Sequence, residues 1–300
     1  MTDPRRRHYG VLHGCAPVPA GPLALVWGNC QAEAVRVLLA TVPDLPVTPV
    51  RIPPVHELTA ADLDLLAPLL ARTRLLAAQP VRDGYRGLPL GTAEVAAALP
   101  AAATVVRWPV VRHPALHPWS AIVRHPSDPA AVPPPVPYHD LRALAAAAGR
   151  PAGAPPSAGA LAEVGARGVA ELARREARDT DVGVADVITS FGTAAAHTLN
   201  HPGNPVLHCL AARILDTAGL PATVGDPGRD LLGGIRSPLR RDVLDALGLP
   251  GPARGHWLDG DRPVGEDEVL AAQRGWYAAH PAWVRAGVAR HADTLEILGL

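Results

Sequence analysis

Cys30 stands in the stretch Gly28-Asn29-Cys30-Gln31, straight after the apolar run Leu23 to Trp27 and at the start of a segment with helical spacing. A thiol is a nucleophile only as its thiolate. A helix N-terminus favours that form through its open backbone N–H groups and the positive end of the peptide dipoles. The position therefore predicts a lowered thiol pKa, and the same N–H groups suit an oxyanion or a phosphate. Asn29 and Gln31 bring side-chain donors to the same place, around a turn that begins at Gly28. The plainer alternative is a small residue packed at a strand end. Cys15, in a Pro- and Gly-punctuated segment, and Cys209, in an apolar helical run, read as structural.

A nucleophilic cysteine needs a group to take and return its proton, and imidazole serves best near neutral pH. Of the 13 histidines, two contexts stand out: Tyr138-His139-Asp140, and the segment His197 to Pro202 with His197 and His201 four apart. The second spacing suits a metal in H-E-x-x-H helices, but no Glu follows His197 and no third ligand is evident, so no metal is expected. Pro202 ends or bends any helix at His201, so Asn200-His201-Pro202 also reads as a helix end followed by a turn, with the imidazole at an exposed boundary. In the loop after a third apolar run, Gln79, Arg82, Tyr85 and Arg86 could grip phosphates and stack a base. A solvated surface loop explains them equally. G-x-G-x-x-G, a P-loop and G-x-S-x-G are all absent.

The elements that must position these groups alternate. Leu23 to Trp27 reads as a strand buried on both faces, and a helix runs from Gln31 to before Pro43. Val47 to Ile52 reads as an edge strand broken by Pro49. A helix at Leu58–Leu70 follows, with Thr59 and Asp62 spaced as a capping box. Arg74–Ala78 gives a third strand, Thr92 caps a short helix, and Thr104–Arg107 gives a fourth strand. Alternation of this kind predicts an α/β fold with a small parallel sheet, Rossmann- or SGNH-like, whose ligands bind at the carboxyl ends of the strands. Those ends are Gly28 to Gln31 and the loop after Gln79. Residues 108–137 show no period. Beyond a linker-like stretch the pattern is helical: Leu161–Arg178, Val206–Ala218, Pro238–Leu247 behind a Ser237-Pro238 cap, Glu266–His280, and Pro281–Leu298. The expected organisation is an arm at 1–21, a sheet region with the nucleophile turn at 22–149, a linker at 150–159 and a helical region at 160–300 that completes one unit.

The 300 residues carry 28 arginines, no lysine and 28 acidic residues, for a formal net charge of zero. Schiff-base chemistry is thus excluded, and nothing drives the chain toward nucleic acid. Three cysteines without C-x-x-C spacing argue against a disulfide framework or a zinc ribbon. The N-terminus lacks the apolar core of a signal peptide, and no membrane-spanning run is present, so the expected location is the cytoplasm. A homo-oligomer is compatible with this composition.

Three pieces, in order, are VWGNCQ at 26–31, QPVRDGYRGLP at 79–89 and FGTAAAHTLNHP at 191–202. Together they resemble the WcbI family of capsular-polysaccharide biosynthesis proteins, with PYHDLRAL at 137–144 as a further, weaker match. The resemblance spans about residues 23–220. It implies a cytoplasmic α/β protein with many helices that binds coenzyme A and O-acetylates a sugar. Gly28, Asn29, Cys30 and Gln31 match the family's GNCQ element, and Asn200, His201 and Pro202 its NHP element. The proline-rich centre, the alanine-heavy helices and the tail after residue 220 depart from the pattern.

The expectation is therefore transfer of an acyl group from acyl-coenzyme A to a hydroxyl of a saccharide or similar small molecule. Cys30 accepts the acyl group or lines the thioester, and His201 is the base with His139 the alternative. Asp140 orients an imidazole, while Gly28, Asn29, Gln31 and Asn200 serve the oxyanion or substrate. Gln79, Arg82, Tyr85 and Arg86 hold the coenzyme. Two rivals remain. One is an SGNH-like esterase with Cys30 in the serine position, although the usual Asp-x-x-His is missing. The other is a non-catalytic module that binds coenzyme or sugar.

Overall fold

A computed structural model describes residues 3–128, 130–150 and 153–300. Two residues of the expected arm and Pro151-Ala152 of the expected linker lie outside the described residues. In chain order the first half forms α1 (Pro4–His8), β1 (Leu23–Trp27), α2 (Cys30–Leu39), β2 (Thr48–Val50), α3 (Ala60–Leu70), β3 (Thr73–Ala78), α4 (Thr92–Ala97), β4 (Thr104–Arg107), β5 (Ser120–Ala121), β6 (His139–Asp140) and α5 (Leu141–Ala147). The second half forms α6 (Ala158–Asp179), β7 (Ala196–Thr198), β8 (His201–Pro202), α7 (Asn204–Thr217), β9 (Ile235–Arg236), α8 (Arg241–Ala246), β10 (His256–Asp259), β11 (Arg262–Gly265), α9 (Glu266–Ala279), α10 (Pro281–Arg290) and α11 (Ala292–Ile297).

Chain contacts define two units. The first comprises Met1–Val110, Leu172–Thr189 and Asn204–Leu231. Its sheet is parallel throughout, in the order β2-β1-β3-β4. All five residues of β1 are buried, as a wholly apolar strand requires when both faces are covered. Strand β2, containing Pro49, lies at the edge, where a missing N–H costs no ladder bond. Val35, Leu38 and Leu39 of α2 are buried, as are Leu207, Leu210 and Ile214 of α7, and these two helices pack together. The α3 start is as expected: the Asp62 carboxylate accepts from the Thr59 backbone N–H at 2.9 Å. Arg5 of α1 reaches the same carboxylate at 3.0 Å, and Leu12 is buried in the core with Leu23 and Trp27.

The second unit comprises Val111–Glu171, Ser190–Gly203 and Leu232–Leu300. The described residues of 111–137 include no helix and only the two-residue β5, yet Val111, Leu116, Trp119 and Val136 are buried there. Helices α5, α9 and α10 pack through Leu141, Leu144, Tyr277 and Val284. At that crossing a Cβ on Gly287 would stand 2.8 Å from Leu144 Cδ2, so the leucine side chain would have to shift to admit it.

Three expectations need correction. The region after the linker is not purely helical: β9, β10 and β11 form an antiparallel sheet in the order β11-β10-β9. Its hairpin turns through Gly260-Asp261, with Gly260 in the left-handed region at φ 58°, so the Gly-Asp pair is the available signal. Helix α8 starts at Arg241 after an Arg240 cap, not at Pro238, because Leu239 is held extended by a bridge to Arg254. The last expected helix is two, α10 and α11, separated at the non-helical His291.

Candidate active site

Strand β1 ends at Trp27, and the chain enters α2 through Gly28 and Asn29. Asn29 is the N-cap residue: its Oδ1 accepts from the Gln31 backbone N–H at 2.9 Å. The Gly28 carbonyl accepts from the Val55 backbone N–H at 2.8 Å, which ties the loop after β2 to the turn. The buried Gln79, at the end of β3, braces the turn from within. Its Oε1 accepts from the Asn29 backbone N–H at 2.8 Å. Its Nε2 donates to Gln31 Oε1 at 3.0 Å and to the Pro109 carbonyl at 3.4 Å. A Cβ at Gly28 would overlap the Gln79 amide, so glycine is required by close approach.

Cys30 therefore sits in the first turn of α2, half-buried. Burial pushes its thiol pKa up, and the Cys30 and Gln31 backbone N–H groups pull it down without prevailing. The expected lowering of the thiol pKa is thus overturned: desolvation of the charged sulfur outweighs the helix terminus. The Gln31 side chain is buried, and its Oε1 accepts from Gln79.

The loop after β3 is shaped by its own polar side chains. Thr92 Oγ1 accepts from the Val81 N–H at 2.9 Å and donates to the Gln79 carbonyl at 2.7 Å, so it ties the loop instead of capping α4. Glu94 Oε2 accepts from the Gly84 and Gly91 N–H groups at 3.0 and 2.8 Å. Tyr85 packs on the hydrophobic core. Arg86 has a left-handed backbone, φ 57°, and its guanidinium donates to the His56 carbonyl. Arg82 is exposed. Of the four residues assigned to a coenzyme, Gln79 is withdrawn from any ligand by burial, and its place is structural support of the turn. Sequence reasoning missed Thr92 and Glu94 as loop anchors. It also missed Glu33, one turn beyond Cys30, which accepts from Arg36 and Arg51 at 2.7 Å each.

In the second unit, Asn200-His201-Pro202 belongs to a β-hairpin, β7 paired antiparallel with β8, and not to a helix end. The His201 imidazole is correspondingly half-buried rather than exposed. Burial lowers its pKa to about 4, helped by neighbouring His197 and opposed by the Leu232 backbone. Asn200 Oδ1 accepts from the Tyr138 hydroxyl at 2.8 Å. His139 is buried, with Nδ1 2.6 Å from the Tyr277 hydroxyl, and burial lowers its pKa to about 4. Asp140 caps α5 by accepting from the Arg142 N–H at 2.8 Å, and its carboxylate pairs with the Arg142 guanidinium at 2.7 Å. Arg142 in turn meets Glu266, which also holds Arg240. The carboxylate expected to orient an imidazole is instead committed to a guanidinium.

The structure thus gathers Gly28, Asn29, Cys30, Gln31 and Gln79 in the first unit, and Tyr138, Asn200 and His201 in the second. Among the described residues no group of three or more His, Cys, Asp or Glu side chains is arranged to hold a metal. Likewise, no helix among them is long and apolar enough to cross a membrane.

Fold and turn together define an α/β protein with a cysteine opening a helix at the carboxyl end of a parallel sheet. Residues 23–223 match the family described as the polysaccharide biosynthesis enzyme WcbI, and the chain belongs to that family. One solved structure is described as WcbI, a novel polysaccharide biosynthesis enzyme, in native form without a disulfide bond between coenzyme A and one of its cysteines. It shares the fold with a TM-score of 0.76 and 20% identity, over 93% of this chain and 98% of its own. That coverage carries the likeness past residue 223, into the tail for which the sequence motifs offered no counterpart. No curated protein matches the chain.

Proposed function

We propose that this protein is an acyl-coenzyme A-dependent O-acyltransferase that places an acyl group, most simply acetyl, on a hydroxyl of a saccharide. The observation that carries this reading is Cys30 in the first turn of α2, at the carboxyl end of a central parallel strand, within the residues that match the family. Burial keeps the Cys30 thiol protonated at rest, so it needs a base, and a His201 imidazole with a pKa near 4 is neutral and able to accept a proton.

In this chemistry the Cys30 sulfur gives its proton to a base and bonds to the acyl carbon as the donor's thioester C–S bond breaks, and the base returns that proton to the departing thiolate. In the second half a base takes the proton of the acceptor hydroxyl, the acyl carbon passes to that oxygen, and the proton returns to the Cys30 sulfur as it leaves. His201, from the family's NHP element, is the base this reading names. Arg82 is an exposed cation of the 79–89 loop, suited to the phosphates of the donor. On this reading the protein works in the cytoplasm, where its three thiols stay free.

The test is intact mass after incubation with a panel of acyl-coenzyme A donors, with Cys30→Ser alongside. An acyl increment on the wild type and none on the variant is expected. Absence of an increment, of coenzyme binding and of saccharide acylation would overturn the proposal. The raised thiol pKa favours one second reading, a coenzyme- or sugar-binding module in which Cys30 only packs. Unchanged coenzyme affinity in Cys30→Ser, with no transfer by either protein, would support it.

A further inference from the structure

Tyr138 is almost fully buried, 4% exposed, and its hydroxyl makes two hydrogen bonds of 2.8 Å, to Thr198 Oγ1 and to Asn200 Oδ1. A phenol carries one proton. Donating it to Asn200 leaves the phenol oxygen to accept from the Thr198 hydroxyl, so the two bonds have a defined direction. The consequence falls on Asn200: its carbonyl end is held toward Tyr138, and its NH2 end is turned the other way. An amide turned over would present an acceptor where a donor had been. The Tyr138 ring also stands edge-on to His201, with centroids 6.2 Å apart, so one side chain borders both Asn200 of the turn and His201 of β8.

Tyr138 is itself held by residues late in the chain. Its ring stacks on Trp257 of β10, with centroids 5.6 Å apart and planes inclined by 24°. Its carbonyl accepts from Gln273 Nε2 at 2.7 Å, and Gln273 Oε1 accepts from the Asp140 N–H at 2.8 Å. Gln273, on α9, is fully buried, so each end of its amide satisfies a backbone group that no water reaches. Trp257 and Gln273 both lie beyond residue 223, where the family match ends.

We infer that Tyr138 is a positioning residue, which sets the amide of Asn200 beside His201 and is itself fixed by Gln273 and Trp257 of the C-terminal region. The inference rests on the reading of Asn200 and His201 as working residues of the transferase, and it gives the region after residue 223 a part in that site. Tyr138 acts through Asn200 and touches no substrate.

Tyr138→Phe keeps the ring and its stack and removes only the hydroxyl. The expected result is a kcat for acyl transfer about tenfold lower, the equivalent of one hydrogen bond, with KM for the acyl donor within about twofold. In an Asn200→Ala background the same change should cost less than about twofold, because the group through which it acts is gone. An undiminished loss in that background would mean a general structural role and would overturn the inference. A second readout needs no activity. The Asn200 side-chain amide, identified in 15N–1H spectra by its disappearance in Asn200→Asp, should shift and exchange faster with solvent in Tyr138→Phe. It should do the same in Gln273→Leu, provided circular dichroism shows the fold retained. An unmoved amide in Tyr138→Phe refutes the positioning role even if transfer is found. A moved amide in a protein without transfer sustains the latch and refutes only the transferase reading.

Discussion

At Cys30 two effects of ordinary size oppose each other. The helix terminus stabilises the thiolate through two backbone N–H groups, while burial withholds the water that would solvate it, and burial prevails. Iodoacetamide labelling of Cys30, followed by peptide mass against pH, should therefore show a midpoint above the about 8.5 of a free cysteine. A midpoint near 7 would show a preformed thiolate. Gln79 is the residue on which the turn depends. Gln79→Leu leaves the Asn29 N–H and Gln31 Oε1 without the partners seen here, and a buried unsatisfied group costs about 1–3 kcal/mol. A denaturant midpoint lower by that equivalent is expected, whereas a shift under about 0.5 kcal/mol would mean that the turn holds without it.

Among the elements, α3 is anchored twice at its start. Asp62 accepts from Thr59 of its own cap and from Arg5 of α1, and these bonds outweigh burial to hold its carboxyl below the usual range. Asp62→Ala removes both contacts, and loss of such a cap costs about 1 kcal/mol. Limited proteolysis should then cut within residues 3–12 faster than in the wild type. Equal rates would show that Leu12 alone secures the segment. The β7–β8 hairpin makes the complementary case. Its four-residue separation of His197 and His201 looks helical on paper, yet Pro202 and pairing with Ala196 set it as strand.

For the molecule as a whole, the second unit carries three buried imidazoles whose pKa values burial lowers: His113 to about 4, His117 to about 3 and His139 to about 4. Unfolding returns them to about 6.5, so between pH 6.5 and about 4 the unfolded chain binds more protons than the folded one. Stability is then full above pH 6.5 and falls as the pH drops, by at most about 1.4 kcal/mol per pH unit for each imidazole. Thermal melts from pH 7.5 to 5 should show Tm falling steadily, with the loss reduced in His139→Phe. A flat profile would mean that the imidazoles meet water or protons in the folded state.

What the sequence alone determined is local. Leu23–Trp27 followed by Gly-Asn-Cys-Gln specifies a buried strand, a tight turn and a helix start, and Thr59 with Asp62 marks a helix start, because each signal lies within a few residues of its effect. The sheet of four parallel strands followed from the same alternation, and the order of short motifs sufficed for the family. The tertiary structure decided everything that depends on partners distant in the chain. It turned Gln79 inward across Gly28, brought Glu266 to the Arg142 guanidinium that holds Asp140, and raised the Cys30 pKa through surroundings that no local pattern encodes. It also built the β9–β10–β11 sheet from pieces of two to four residues, too short to show a period. Hydrogen-bond direction and desolvation are properties of packed neighbours, and neighbours such as Tyr138 and Gln273, 135 residues apart, meet only in the fold.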